Sequence, residues 1–242
     1  MHYYFTFVPL CITSFWFNFS LANLQNVQIS SSGDVAKHKT LLISYLPSGT
    51  FSKTKILLDH FLESINGHEI EKVDLLTQSP PIFTEESLAA YFKRNYAGQT
   101  LTEAESSALA ENDRLIAQFQ SADVIVIAAP FHNFGLPGIV KSYLDAVMFN
   151  GKTFEFGKKA MAGKKSLTIF TSGGQYSPDS VDFSAGFFHW DTLTQSIKIM
   201  FNFMGFDEVQ IVGASLRDET TRAERVAEAR SKIRAIVSRW YE

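Results

Sequence analysis

The stretch that decides the fold is "SADVIVIAAPFHNFGLPGIVKSYLDAV", residues 121–147. Within it, "DVIVIAA" (123–129) is nearly all apolar and β-branched. That is the pattern of a central parallel strand covered on both faces. The ten residues from Ala129 to Gly138 then hold two Pro, two Gly, two Phe, a His and an Asn. Pro137 suits the first turn of a helix, which the pattern carries to about Met148. Strand-to-helix connections in α/β proteins are usually short. One built from aromatics and backbone-shaping residues reads as a platform for a flat, partly apolar ligand.

Working outward, the same alternation repeats on both sides. Upstream, "TLLISY" (40–45) is a short buried strand, and "SKTKILLDHFLESI" (52–65) sets Ile56, Leu57, Phe61 and Ile65 at helical spacing before Gly67. "HEIEKVDLL" (68–76) alternates as a second strand, "SPP" breaks the chain, and "TEESLAAYF" (84–92) reads as a short helix. Thr102 with Glu105 is a capping-box pattern opening a long helix to about Gln120. Downstream, "NGKTFEFG" (150–157) reads as a turn with a short hairpin arm, and "KSLTIFT" (165–171) as a strand. Residues 192–205 form a helix ended by Gly205, residues 207–214 the last strand, and residues 219–241 a long amphipathic helix. The fold class is therefore α/β: a doubly wound, five-stranded parallel sheet with helices on both faces and right-handed crossovers.

Composition narrows the function classes. At 242 residues the chain suits one α/β domain with extensions. A net charge of −3 without a basic stripe argues against a nucleic-acid partner. The single Cys11 excludes an internal disulfide and a cysteine-based zinc site. Residues 1–38 are set apart as an N-terminal extension, and the folded domain is expected over 39–242. "SLA" at 20–22 has the small residues of a signal-peptidase site, but only His2 stands in for the usual basic n-region. The expectation is a cytoplasmic protein, with export or membrane anchoring by the first 36 residues left open.

Ligands of such sheets sit at the carboxyl ends of the strands, at a switch in strand order. Three loops are therefore the candidates. After the first strand, "LPSGTFSKTK" (46–55) leads to a helix N-terminus, whose unpaired N–H groups suit a phosphate. Ser52 and Thr54 add hydroxyls, but neither a nucleoside-triphosphate loop nor a dinucleotide fingerprint is present. A plain Ser cap is the alternative there. After the third strand, Phe131 and Phe134 suit the sides of a planar ring and Asn133 its polar edge. An aromatic plug is the alternative, with His132 an ordinary solvated side chain. After the fourth, "TSGGQY" (171–176) lets backbone N–H groups approach a ligand closely, or is simply a flexible turn.

Taken together, residues 39–240 resemble the FMN-dependent NADH:quinone oxidoreductases and azoreductases of the flavodoxin-like superfamily. The resemblance rests on 121–147, with its Pro-aromatic-x-Asn-Phe element, followed in order by "GKTF" (151–154) and "GKKSLTIFTSGG" (163–174). It implies that Ser52, Lys53 and Thr54 hold the FMN phosphate, that Phe131, His132, Asn133 and Phe134 line the ring, and that Thr171, Ser172, Gly173 and Gly174 meet its pyrimidine edge. The chain departs from the family at Leu46, where a Ser commonly precedes the Pro; Ser48 or Ser44 are the nearby substitutes.

The resemblance also implies a ping-pong reaction in which NADH or NADPH reduces the flavin and a quinone or azo compound then reoxidises it. The hard chemistry is the cofactor's, so no catalytic side chain and no metal is expected. N–H groups at Gly173 and Gly174 would stabilise negative charge at the ring edge, and Tyr176 or His132 are the candidate proton donors. A homodimer is implied as well. The aromatic segments 149–156 and 183–206 would supply its surface, or would fill the core beneath the C-terminal helix. The alternative function is a flavodoxin-type electron carrier. Carriers are usually strongly acidic and shorter, and the segment 77–120 and the tail helix favour an enzyme.

Overall fold

The computed structural model describes residues 37–174 and 191–242. The N-terminal 36 residues, Tyr176 and the 183–190 segment lie outside that range. Five strands form one all-parallel sheet: β1 (Lys39–Ser44), β2 (Glu69–Asp74), β3 (Val124–Pro130), β4 (Lys165–Ser172) and β5 (Glu208–Ser215). Six α-helices lie among the described residues: α1 (Lys53–Ser64), α2 (Glu85–Asn95), α3 (Glu103–Ser121), α4 (Gly138–Val147), α5 (Thr192–Met204) and α6 (Glu219–Tyr241). A 3₁₀ turn at Gly49–Phe51 precedes α1. The strand order is β2-β1-β3-β4-β5, so the direction of winding reverses between β1 and β3.

The β3 run explains why this sheet is buried on both sides. Ile125, Ile127 and Ala129 enter the core under α2–α5, while Val124, Val126 and Ala128 enter the core under α1 and α6. Successive side chains of a strand point to opposite faces, so a strand with two apolar faces has no polar position to spare. Phe119, Phe149 and Phe201 are fully buried on the first side, Phe61 and Ile233 on the second.

Local signals hold at most boundaries. Thr102 and Glu105 form the capping box that opens α3, and Thr84 with Ser87 forms another at α2. Gly205 ends α5 at φ 90°, and a side chain there would strike the backbone of Lys159 at 2.5 Å. Two expectations are corrected. In α1, Ile56 faces solvent and Leu58 takes its place in the core beside Leu57, Phe61 and Ile65. The 150–157 segment makes only isolated bridges, Asn150 with Phe154 and Glu155 with Lys158, and no strand. Among the described residues no helix is long and apolar enough to cross a membrane.

Candidate functional site

The three loops singled out in the sequence start from β1, β3 and β4, which are neighbours in the sheet. They therefore share one end of it, at the reversal in winding. Of the six described α-helices, α2, α3, α5 and α6 open on a side-chain cap from Thr84, Thr102, Asp191 and Asp218. The two that open beside β1 and β3, namely α1 and α4, have none. Ser52 stands at the N-cap of α1, buried, and makes no capping hydrogen bond. No acidic side chain occupies the first turn of α1, whereas α2 and α3 each carry two. Among the described residues, no side chain caps the positive end of the α1 dipole or its first N–H groups, which is the arrangement that binds a phosphate.

The side chains around that helix start take definite partners. The hydroxyl of Thr54 lies 2.8 Å from that of Thr171, a buried contact that joins the first loop to the third. The ammonium of Lys53 donates to the Leu216 carbonyl at 3.0 Å, just beyond β5. What Lys53 and Thr54 offer over the helix start is therefore their backbone N–H groups. Leu46 packs against the core under α1 and α6, so the position where the family commonly has a hydroxyl contributes packing here. Ser48 begins the 3₁₀ turn and Ser44 ends β1.

The second loop is a hairpin of two central residues. His132 and Gly135 exchange both backbone hydrogen bonds at 3.0 Å, and Asn133 and Phe134 between them take φ values of 46° and 68°. Positive φ at both central positions is the signature of a type I′ turn, which normally carries Asn-Gly. A Phe in that second position is held in an unfavourable conformation, at a cost of order 1–3 kcal/mol. Strain of this kind persists only where the surroundings enforce it. The turn lifts Phe134 into a 45% exposed position and leaves His132 and Asn133 exposed. Phe131 stays half-buried, bonded through its N–H to the Thr171 carbonyl at 2.9 Å, with its ring 6.0 Å from that of Phe170.

The third loop continues β4. The Ser172 hydroxyl donates to the Gly174 carbonyl at 2.6 Å and curls the chain. A Cβ on Gly173 would meet nothing within 4 Å, so this backbone faces open space. Beside it runs a groove of about 490 Å³ that includes Phe131, Phe170, Ser172 and Gly174. The outer end of the Phe170 ring sits against Gly213, where a Cβ would lie 2.2 Å from its Cζ. Among the described residues no group of three His, Cys, Asp or Glu could hold a metal ion.

The residues singled out from the sequence for the cofactor thus lie in three adjoining segments: Ser52 with the first turn of α1, the loop after β3, and the end of β4 with the two glycines after it. Sequence reasoning missed the Asn133–Phe134 turn geometry, the Thr54–Thr171 tie and the role of α5, whose first residue touches the second loop.

Comparisons with known proteins identify the family and the fold. A family model described as flavodoxin-like fold matches residues 38–237. The chain is 32% identical over 189 residues to an FMN-dependent NADH:quinone oxidoreductase 1 of Bacillus cereus, covering 73% of this chain and 86% of that one. It is 32% identical over 208 residues to the FMN-dependent NADH:quinone oxidoreductase of Bordetella avium, covering 81% and 96%. Among solved structures, an FMN-dependent NADH-azoreductase from Bacillus anthracis in complex with FMN superposes with a TM-score of 0.70 at 30% identity. That match covers 85% of this chain and all of the other.

Proposed function

The chain belongs to the flavodoxin-like family of FMN-dependent NADH:quinone oxidoreductases, and on that premise we propose that it passes electrons from a reduced nicotinamide nucleotide to a quinone or azo compound through one FMN. The observation that carries the reading to this site is the pair of uncapped helix starts. Only α1 and α4 among the described α-helices lack side-chain caps, and both open at the winding reversal.

When bound, FMN supplies the acceptance of hydride and the return of two electrons. The chain's own residues do the rest. The Ser52 hydroxyl and the N–H groups of Lys53 and Thr54 bind the phosphate, aided by the helix dipole. Phe131, His132, Asn133 and Phe134 are the residues that would hold the ring from the strained turn. Backbone N–H groups at Gly173 and Gly174 would hold the ring edge and offer hydrogen-bond donors there, the logic of an oxyanion hole. Thr171 and Ser172 shape that backbone. A single open platform at these loops would take donor and acceptor in turn, the order of a ping-pong reaction.

A homodimer fits the surface. Ile82, Phe156 and Ile199 are 73%, 72% and 69% exposed, and Ile82, Phe83, Phe154 and Phe203 line an apolar groove of about 590 Å³. Isolated exposed apolar residues are ordinary, but a contiguous patch marks an interface. The occupant is a second copy of this chain. Among the described aromatic residues of these segments, Phe149, Phe201 and Phe206 fill the core under α2–α5, not the one beneath α6, and Phe154 joins that core at the edge of the groove.

The test is spectroscopic. The purified protein is expected to be yellow, to release FMN on denaturation, and to lose its visible absorbance when NADH alone is added without oxygen. Bleaching that requires a separate reductase would make it an electron carrier. A colourless protein that takes up no added FMN would remove the reading altogether.

A further inference from the structure

Thr192, the first residue of α5, grips the second loop by two hydrogen bonds. Its N–H donates to the Phe134 carbonyl at 3.1 Å, and its hydroxyl donates to the same oxygen. Its Oγ1 also fills the space beside Gly135, where a Cβ would lie only 2.8 Å away. Behind it, the Asp191 carboxylate accepts from the Thr194 N–H at 2.9 Å and fixes the start of the helix.

These contacts fall on the part of the loop that cannot hold itself. Phe134 sits at φ 68°, a region a bulky side chain avoids, and its neighbour Asn133 at φ 46° needs the same turn. A carbonyl that accepts two hydrogen bonds from one fixed residue cannot rotate without breaking both. The His132–Gly135 pair closes the turn but does not choose between turn types, since that choice is set by the two central peptides.

We propose that Thr192 is a positioning residue for the cofactor's ring loop: by clamping the Phe134 carbonyl it holds Asn133 and Phe134 in the left-handed conformation in which they meet the isoalloxazine. The proposal rests on the reading of 131–134 as the FMN ring loop. Thr192 itself touches neither cofactor nor substrate in this scheme. It acts by making the binding-competent loop the resting one, so that ordering is not charged against affinity.

The experiment titrates FMN into the full-chain apoprotein of the wild type, Thr192→Val and Thr192→Ser, each also in a Phe134→Gly background. The readouts are the FMN dissociation constant, the visible circular dichroism of the bound flavin and the melting temperature of the apoprotein. Thr192→Val should raise the dissociation constant about fivefold, the worth of one net hydrogen bond, and should alter the dichroism. Thr192→Ser, which keeps the hydroxyl, should stay within about twofold of the wild type. In the Phe134→Gly background the Thr192→Val effect should shrink below about twofold, because glycine adopts the positive φ unaided. Gly135→Ala, whose methyl crowds the Thr192 hydroxyl, should weaken FMN binding through the same clamp with Thr192 itself unchanged.

Thr192→Val with unchanged FMN affinity and dichroism overturns the proposal, even if the melting temperature falls. So does an equal effect in both backgrounds. A wild type that binds no FMN fails at the functional reading instead.

Discussion

The hydroxyls of Thr54 and Thr171 lie 2.8 Å apart in the interior, so the first turn of α1 is bonded to the end of β4. Replacing one partner leaves the other buried without a hydrogen bond, which costs about 1–3 kcal/mol, whereas replacing both is nearly neutral. Thr54→Val and Thr171→Val should therefore each lower stability by about 1–3 kcal/mol, and the double variant should cost less than their sum. Urea unfolding at constant slope reads all three. Strict additivity would show that the two hydroxyls act separately. Each single variant should also loosen FMN, because the tie sets the spacing of the first and third loops.

Gly205 offers a sharper steric test. Its φ of 90° and the 2.5 Å approach of Lys159 leave no room for a methyl group. Gly205→Ala should destabilise by at least about 1–2 kcal/mol from the left-handed backbone alone, with the collision added. Gly67 also has a positive φ, of 98°, but open space around it. Gly67→Ala should therefore cost less than Gly205→Ala in the same unfolding assay, and equal losses would rule out the collision.

These two cases mark where sequence is informative. The order of elements was legible because a strand buried on both faces, such as 124–130, leaves an unbroken apolar run, and because Thr102, Glu105 and Gly205 are local signals. The three loops were legible because strand ends of a doubly wound sheet are fixed by topology. What escaped was long-range or disguised. The Asn133–Phe134 turn carries Phe where a type I′ turn calls for Gly, so the usual signal was missing at its second position. The Lys53 ammonium finds a carbonyl 163 residues away, and no local pattern records that. Ile56 and Leu58 are equally apolar, and only the packed neighbours decide which is inside.

The apolar face around Phe203 predicts an oligomer. Ile199 and Phe203 are exposed one helical turn apart on α5, beside Phe156 at 5.6 Å from the Phe203 ring. The wild type should sediment as a dimer at micromolar concentration. Ile199→Glu combined with Phe203→Glu buries two charges against an apolar partner, which costs several kcal/mol of association, and should sediment as a monomer. Because both side chains already face solvent in the single chain, its far-ultraviolet circular dichroism should be unchanged. A monomeric wild type would count against the dimer and leave the fold untouched.

His60 predicts how stability depends on pH. It lies on α1 against α6, where Arg230 and Arg234 face it and oppose its charge, while the Arg230 backbone and Glu63 of its own helix favour the charged ring more weakly. Burial, and then the two guanidinium groups, hold its pKa below the usual 6.5. The neutral ring is thus favoured in the folded state, and the unfolded chain binds the proton more readily. Stability from this residue is full above about pH 6.5 and is lost as pH falls through the lower folded value. His60→Gln removes the titration, so the variant should lose less stability than the wild type between about pH 7.5 and pH 5. Urea midpoints across that range provide the comparison. The carboxylates are the same in both proteins and cancel in the difference. Parallel curves for the two proteins would show that His60 titrates as it does in the unfolded chain, and that the α1–α6 contact does not sense pH.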